Sequence, residues 1–504
     1  MNSANKKFLL LLICLSPIPF LQTLTFPLLE GWDDHIYLLN NIHKLSFNLE
    51  NIIYWLKTPC EGCYLPLTMF SFIFDYSFFG LNPLIYRLHN LIWHLFAVIA
   101  CFHIINLFVK NNTIAFFATL FFAIHPQRVE SVVWISERKD VLCTAFYLWS
   151  VFFFLKANDN NILDKKLYFF SFIFGIFALM SKPMAVSLPF ILFILLVARE
   201  EKVAKDFVYK TFPFFLVILI FIPIAIVSQD IPKEHLSLFR RTAVVLFNIP
   251  WYFYKLFIPL NLSPIYPRII ISFSRILWTC LFYLSFSVLA LISFLKLKSK
   301  KWNLSCLLFL LCFFISLAPV SGIIPLGAID YADRYSYIPS VFLIIFISLF
   351  LKGFFESKQY AKIILPLIIA YLSFLASITY FYTFSWASYR TVLETAISHE
   401  PPPYIAISAL ADLEYFTGNR LRIPELVKIA RERQKGWESE KGLQRLFFKL
   451  DILYMQVLYE SGRIDEAAKI AKHLQKGKIS EFLEKKSDED NLKFLIKKVL
   501  EGEK

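Results

Sequence analysis

Asp33 and Asp34 are neighbouring carboxylates that follow an apolar run ending at Phe26. Such a pair can take a proton as general base, orient an acceptor hydroxyl, or hold a divalent ion. Four further polar groups sit between apolar stretches: His125-Pro-Gln-Arg-Val-Glu130, Ser136-Glu-Arg-Lys-Asp140, Ser181-Lys182-Pro183 and Asp330-Tyr-Ala-Asp-Arg-Tyr335. Within them, Arg138, Lys182 and Arg334 carry the charge a phosphate needs, and arginine adds a two-pronged geometry. A carboxylate beside a phosphate clamp is the equipment for moving a sugar off a lipid phosphate.

Each of these groups also has a plainer reading. Asp33-Asp34 can be a solvated loop or a helix cap. Glu130, Glu137, Arg138 and Asp140 can form an internal ion-pair network, which is the preferred reading for Glu137 and Lys139, whereas Arg138 is assigned to the donor phosphate. His125 precedes a proline, so it can simply end a helix and bond a carbonyl. Glu130, Glu137, Lys139, Asp140, Asp333 and His125 are therefore expected as supporting residues. No third ligand accompanies the acidic pair, and His35, His89, His94 and His103 lack metal-ligand spacing, so no metal is assigned. A divalent cation stays compatible with the two aspartates, without a ligand set to support it. Cys60-Glu-Gly-Cys63 lacks the second CxxC of a zinc site and reads as a local staple or two free thiols.

The elements that must position these groups are membrane helices. Hydrophobic residues make up 57% of the 504-residue chain and charged residues only 18%, too greasy for a soluble surface. Apolar stretches long enough for spans recur up to about Phe381, and about eleven crossings are expected, at 8-26, 88-109, 112-124, 141-155, 167-180, 184-198, 211-228, 276-295, 303-320, 338-351 and 361-381. The first reads as an uncleaved signal anchor behind Lys6-Lys7. The stretches 66-81 and 243-260 read as re-entrant or interfacial, because Asp75 interrupts one and two prolines and Lys255 the other. The formal charge of +14 does not indicate nucleic acid, since Lys and Arg gather in short loops. Placing Lys6-Lys7, Lys156, Lys165-Lys166, Arg199, Lys202, Lys298, Lys300 and Lys301 inside leaves the loop 27-87, every polar group above, and the C-terminal part outside. From about Ser385 the apolar runs stop and Lys, Glu and Arg alternate with Leu, Ile and Ala at helical spacing. Two domains follow, 1-384 in the membrane and 385-504 beyond it.

With those residues in view the chain resembles a known family. WDDHIYLLNN (32-41), LPLTMFSFIFDYSFFGLNPLIYRLHNLIWHL (65-95), FAIHPQRVESVVWISERKDVL (122-142), SKPMAVSLPFIL (181-192), FIPLNLSPIYP (257-267) and ADRYSYIPSV (332-341) are similar to membrane proteins with tetratricopeptide repeats whose animal members are O-mannosyltransferases. The chain looks closest to the bacterial branch. The resemblance implies an all-α fold of the GT-C glycosyltransferase type, with an essential acidic residue in the first external loop and a polyprenyl- or dolichyl-phosphate sugar as donor. It also implies that the Glu137-Arg-Lys-Asp140 residues, Lys182 and the Asp333-Arg334 pair line the donor cavity. Relatives often carry a polar or basic residue before Pro-Leu-Thr where this chain has Leu65, so no contact is expected from that position. YMQVLYESGRIDEAAKIAKHL (454-474) looks like two tetratricopeptide helices with Gly462 in their turn and Ala467-Ala468 at the close contact.

The expected function is therefore a bacterial inner-membrane glycosyltransferase acting outside the cytoplasm, with the bilayer, a polyprenyl-phosphate sugar and a protein or glycan acceptor as partners. Two other classes fit less of the pattern. A non-catalytic scaffold would use only the repeats, and a transporter would spread polar residues through the midplane rather than gather them on one face.

Overall fold

The computed structural model describes residues 3–159, 163–200, 205–228, 238–269, 271–296, 302–322, 329–356, 358–433, 441–476 and 486–501; Lys202, Lys298, Lys300 and Lys301 lie outside them. Among these residues the chain is helical throughout, with no strand. Contacts divide it into two compact units, one of residues 1–262 and 269–389 and one of residues 263–268 and 390–504.

The first unit is an integral membrane bundle. Six helices are long and apolar enough to cross a bilayer: Asn5–Thr25, Pro83–Val109, Ile135–Ala157, Asp206–Ser228, Asp333–Gly353 and Lys362–Trp386. Shorter apolar helices run over Asn112–Ala123, Pro183–Arg199 and Ser305–Val320. Their burial separates centre from rim. In Ile135–Ala157, 78% of the most apolar window is buried, whereas in Asp206–Ser228 and Lys362–Trp386 only 17% is, and Leu219, Val227, Ile363, Leu367 and Phe381 stand exposed as a lipid-facing surface requires. The central helix Arg138–Ala157 packs on Pro83–Val109 and Lys165–Ser181.

The stretches expected to be interrupted are helices too, Pro66–Phe79 and Leu238–Phe257. Asp75 does not break the first because its carboxylate is buried and paired. Between the first span and Pro66–Phe79, the chain makes short turns and the helix Leu49–Lys57, capped by the Asn48 side chain accepting the Asn51 amide at 2.7 Å. This loop has its own core of Tyr37, Leu38, Trp55, Cys60, Leu65, Phe72, Tyr86 and Ile135.

The second unit is a stack of helices. Lys441–Glu460 and Ile464–Lys476 turn at Gly462, whose φ of +80° suits glycine. Ala467 and Ala471 pack with Leu458, Leu474, Ile496 and Val499, the last two from Lys486–Glu501.

Gly31 leads into the acidic pair at φ +96°, and a Cβ there would lie 2.8 Å from the Tyr389 ring. Gly31→Ala is therefore expected to cost about 1–3 kcal/mol, read as a lower midpoint in thermal unfolding in detergent. Gly353, where a Cβ meets open space, is the control.

Candidate active site

The two aspartates have different environments. Asp34 is fully buried, and both of its carboxylate oxygens are taken. One accepts the Leu29 amide at 3.1 Å; the other accepts the Ser136 amide at 2.9 Å and the Ser136 hydroxyl. Asp34 thus ties the first loop to the start of the central span. Burial pushes its carboxyl above the usual range, and the Ser136 hydroxyl and Arg87 pull the other way.

Asp33 is half-buried and has no hydrogen bond to any described residue. Burial raises its pKa most, with Lys139 opposing, Glu137 adding, and Arg334 opposing. A carboxylate with a raised pKa and unused lone pairs, set among cations, is suited to accept a proton.

Those cations form one network around Glu137. Its carboxylate meets Lys139 Nζ at 3.0 Å, Lys182 Nζ at 3.4 Å and Arg334 Nε at 3.4 Å. Lys182 also pairs with Asp140 at 2.5 Å, and Asp140 accepts the Ser131 hydroxyl at 3.2 Å. Glu130 binds the Arg334 guanidinium and accepts the Arg334 amide at 2.9 Å. Burial pushes Glu130 up to about 7 while Arg334 pulls it down. Lys182 is raised despite its burial because Asp140 and Glu137 stabilise its charge. The carboxylates are 1 to 3% exposed and the cations 9 to 12%, so the whole network is buried and the carboxylates lie deepest. Arg334 and Lys139 both lie against Trp134, at 5.7 and 5.8 Å from its ring centre. Trp32 meets the edge of the same ring at 5.4 Å, and Trp386 stacks on it at 5.2 Å.

Arg138 sits apart from this cluster. It is fully buried, with its guanidinium bonded to Asp75, to Asn90 Oδ1 at 2.8 Å and to the Tyr86 carbonyl at 2.8 Å, and it lies 4.5 Å over Phe72. With its donors committed to Asp75, Asn90 and a carbonyl, Arg138 lies outside the cluster in which sequence reading had placed it, and Lys139, which that reading had made structural, lies within it. The helical turn explains the exchange: successive residues point about 100° apart, so Arg138 and Lys139 cannot serve one face. His125 bonds the Leu256 carbonyl through Nε2 at 3.0 Å and accepts the Gln127 amide at 3.2 Å; burial lowers it to about 3, so it stays neutral. Asp333 is buried and accepts from Gln127 Nε2 at 3.4 Å.

Sequence reading passed over Arg87, Asn90 and Tyr37, took Asp75 only as an interruption, and gave Ser136 no role within its polar group. Arg87 donates to the carbonyls of Phe26, Pro27 and Val133, and Asn90 to those of Trp134 and Val132. Their signal was present: Arg87 and Asn90 are polar residues three apart on an apolar helix, where polarity is costly unless paired.

Sequence comparison gives this geometry a setting. The family described as dolichyl-phosphate-mannose-protein mannosyltransferase matches residues 66–227. The human protein named Protein O-mannosyl-transferase TMTC3 is 30% identical over 102 residues, 20% of this chain and 11% of that protein. The Caenorhabditis elegans Protein O-mannosyl-transferase F38B6.6 is 29% identical over 205 residues, 38% of this chain and 29% of that protein. The mouse Protein O-mannosyl-transferase TMTC1 is 31% identical over 99 residues, 19% of this chain and 10% of that protein. The matches thus span less than a third of these curated relatives. No solved structure matches the chain.

Removing Arg138 takes the guanidinium partner from the buried Asp75 and leaves it the His89 ring at 2.5 Å. Arg138→Leu is expected to lose about 3–5 kcal/mol of stability in chemical or thermal unfolding, and Asp75→Leu with Arg138→Leu to recover a large part of it. Equal stability of Arg138→Leu and wild type would return Arg138 to the list of free phosphate ligands.

Proposed function

We propose a function on the premise that the chain is a member of the dolichyl-phosphate-mannose-protein mannosyltransferase family: it transfers a sugar, mannose being the first candidate, from a polyprenyl-phosphate carrier to a protein hydroxyl outside the cytoplasm. The observation that carries the reading is the contrast within the acidic pair. Asp34 is held through both carboxylate oxygens, and Asp33 stands without a hydrogen bond from any described residue, facing Lys139 and Arg334.

In the reaction, Asp33 takes the proton of the acceptor hydroxyl as its oxygen bonds to the anomeric carbon. The bond from that carbon to the phosphate oxygen breaks, and the polyprenyl phosphate leaves with the electron pair. Lys182, Arg334 and Lys139 stabilise the charge that develops on it, because Glu137, Asp140 and Glu130 hold them in place beforehand. Asp34 keeps the Asp33 loop on Ser136, one residue from Glu137. The half-buried Trp32 offers a flat apolar face beside the base for a sugar ring or an acceptor side chain.

In a lipid-linked sugar transfer assay, Asp33→Asn is expected to lose about 100- to 10,000-fold in kcat with an unchanged unfolding midpoint. Asp34→Ala is expected to lose stability, on the order of 3 kcal/mol, along with activity. Full activity in Asp33→Asn membranes would end the mechanism. Because burial raises the Asp33 pKa, its base form is lost as pH falls through a value above the ordinary ~4, so the acid limb of kcat/KM lies above that value and disappears in the residual activity of Asp33→Asn.

The proposed location is a bacterial inner membrane, N-terminus inside, with the site and residues beyond about 385 outside. Protease added to intact spheroplasts is expected to remove the C-terminal part; its protection there, with digestion in inside-out vesicles, would reverse the orientation.

A further inference from the structure

Cys60 and Cys63 close a two-residue hairpin. Cys60 N donates to Cys63 O at 2.9 Å and Cys63 N to Cys60 O at 2.9 Å. Glu61 and Gly62 between them take φ of 46° and 65°, the left-handed pair a tight hairpin turn requires. Residues paired this way have Cα atoms about 5.5 Å apart, within the roughly 4.4–6.8 Å that disulfides span. Their side chains leave the same face with Cβ atoms about 5 Å apart, so a bond needs an approach of on the order of 1 Å.

The hairpin is also a wall of the site. Cys60 is buried in the cluster that contains Tyr37 and Ile135, and Cys63 packs against that cluster. The Tyr37 hydroxyl accepts from Lys139 Nζ at 3.3 Å, and the ammonium lies 4.8 Å over the Tyr37 ring. Lys139 is in turn the closest cation to Glu137. The fold therefore places two cysteines one side chain away from a cation of the donor site, while the other six in the sequence are single residues in apolar segments.

We propose that Cys60 and Cys63 are a redox-active dithiol that closes to a disulfide within the first loop and so fixes the Tyr37 platform under Lys139; the effect on donor binding rests on the sugar-transfer reading above. The half-buried Cys63 is the attacking thiol: it is the more exposed of the two, burial raises both thiols and Lys139 opposes that at each, but Lys182 opposes it at Cys63, whereas Cys60 is pushed up to about 12. Cys63 thiolate attacks one sulfur of an external disulfide, either a protein or a small molecule, and the other sulfur leaves as thiolate. Cys60 loses its proton and attacks the Cys63 sulfur of the mixed disulfide, expelling the second thiolate. Two electrons and two protons pass to the oxidant, which departs as two thiols. The closed ring restricts the Cys60 side chain against Tyr37, so less ordering is left for phosphate to impose when it meets Lys139.

Two measurements on the full-length protein in detergent test this. After oxidised glutathione, thiol alkylation and proteolysis, the peptide holding both cysteines is expected unalkylated and about 2 Da lighter than its reduced form; after dithiothreitol both are alkylated. Alkylation of both after oxidised glutathione would overturn the pair. Polyprenyl phosphate is expected to bind about fivefold more weakly to the reduced protein than to the oxidised one. Cys60→Ser with Cys63→Ser is expected to stay at the weaker value in both conditions. Equal affinity of wild type in both states would overturn the coupling to Lys139, and that comparison does not depend on whether the double variant folds. Neither measurement uses catalysis, so a chain that closes the disulfide yet transfers no sugar would refute the proposed function alone.

Discussion

Three cations from three separate parts of the chain converge on the carboxylate of Glu137, and the arrangement of the site depends on that one group. Lys139 and Lys182 approach it at 3.0 and 3.4 Å and Arg334 at 3.4 Å. Without a buried negative charge between them, three positive charges at membrane depth would repel each other and draw water or lipid headgroups inward. With it, and with Asp140 and Glu130 beside it, they stand close together. A pre-assembled cation cluster needs no rearrangement when a second anion arrives, which is what gives such a cluster its value for a leaving phosphate.

The remaining buried charges serve attachment. Arg87 gathers the carbonyls of Phe26, Pro27 and Val133, and Arg138 joins Asp75, Asn90 and the Tyr86 carbonyl. These guanidiniums bind irregular backbone where it leaves and re-enters helices, which is the place a lipid-embedded protein must satisfy polar groups internally. Asp34 does the same through Ser136. The first loop and the central span are thereby fastened at points on both sides of Asp33, so its carboxylate has a fixed position without a hydrogen bond from a described residue.

Much of this was legible in the residue string. The composition and the long apolar runs call for a helical membrane protein, and the polar groups between them mark the segments that meet: Glu130, Glu137, Lys139, Asp140, Lys182 and Arg334 form the buried network, and Asp34 is bonded to Ser136 beside it. What was not legible is which member of each group does what. Arg138 and Lys139 are adjacent and both basic, and Asp33 and Asp34 are identical residues. Their roles separate only by the direction each side chain takes from its turn, and a single sequence carries no record of direction at helix ends.

The sequence by itself determined that this chain is an all-helical membrane protein, because hydropathy over about 20 residues does not need coordinates to be read. Tertiary structure alone decided that Asp34 is held by Leu29 and Ser136 while Asp33 takes no hydrogen bond from a described residue, that Arg138 pairs with Asp75 and Lys139 with Glu137, and that Cys60 and Cys63 pack in the cluster of Tyr37. Those distinctions arise from burial and pairing, which are properties of neighbours brought together by folding from as far apart as residues 137 and 334.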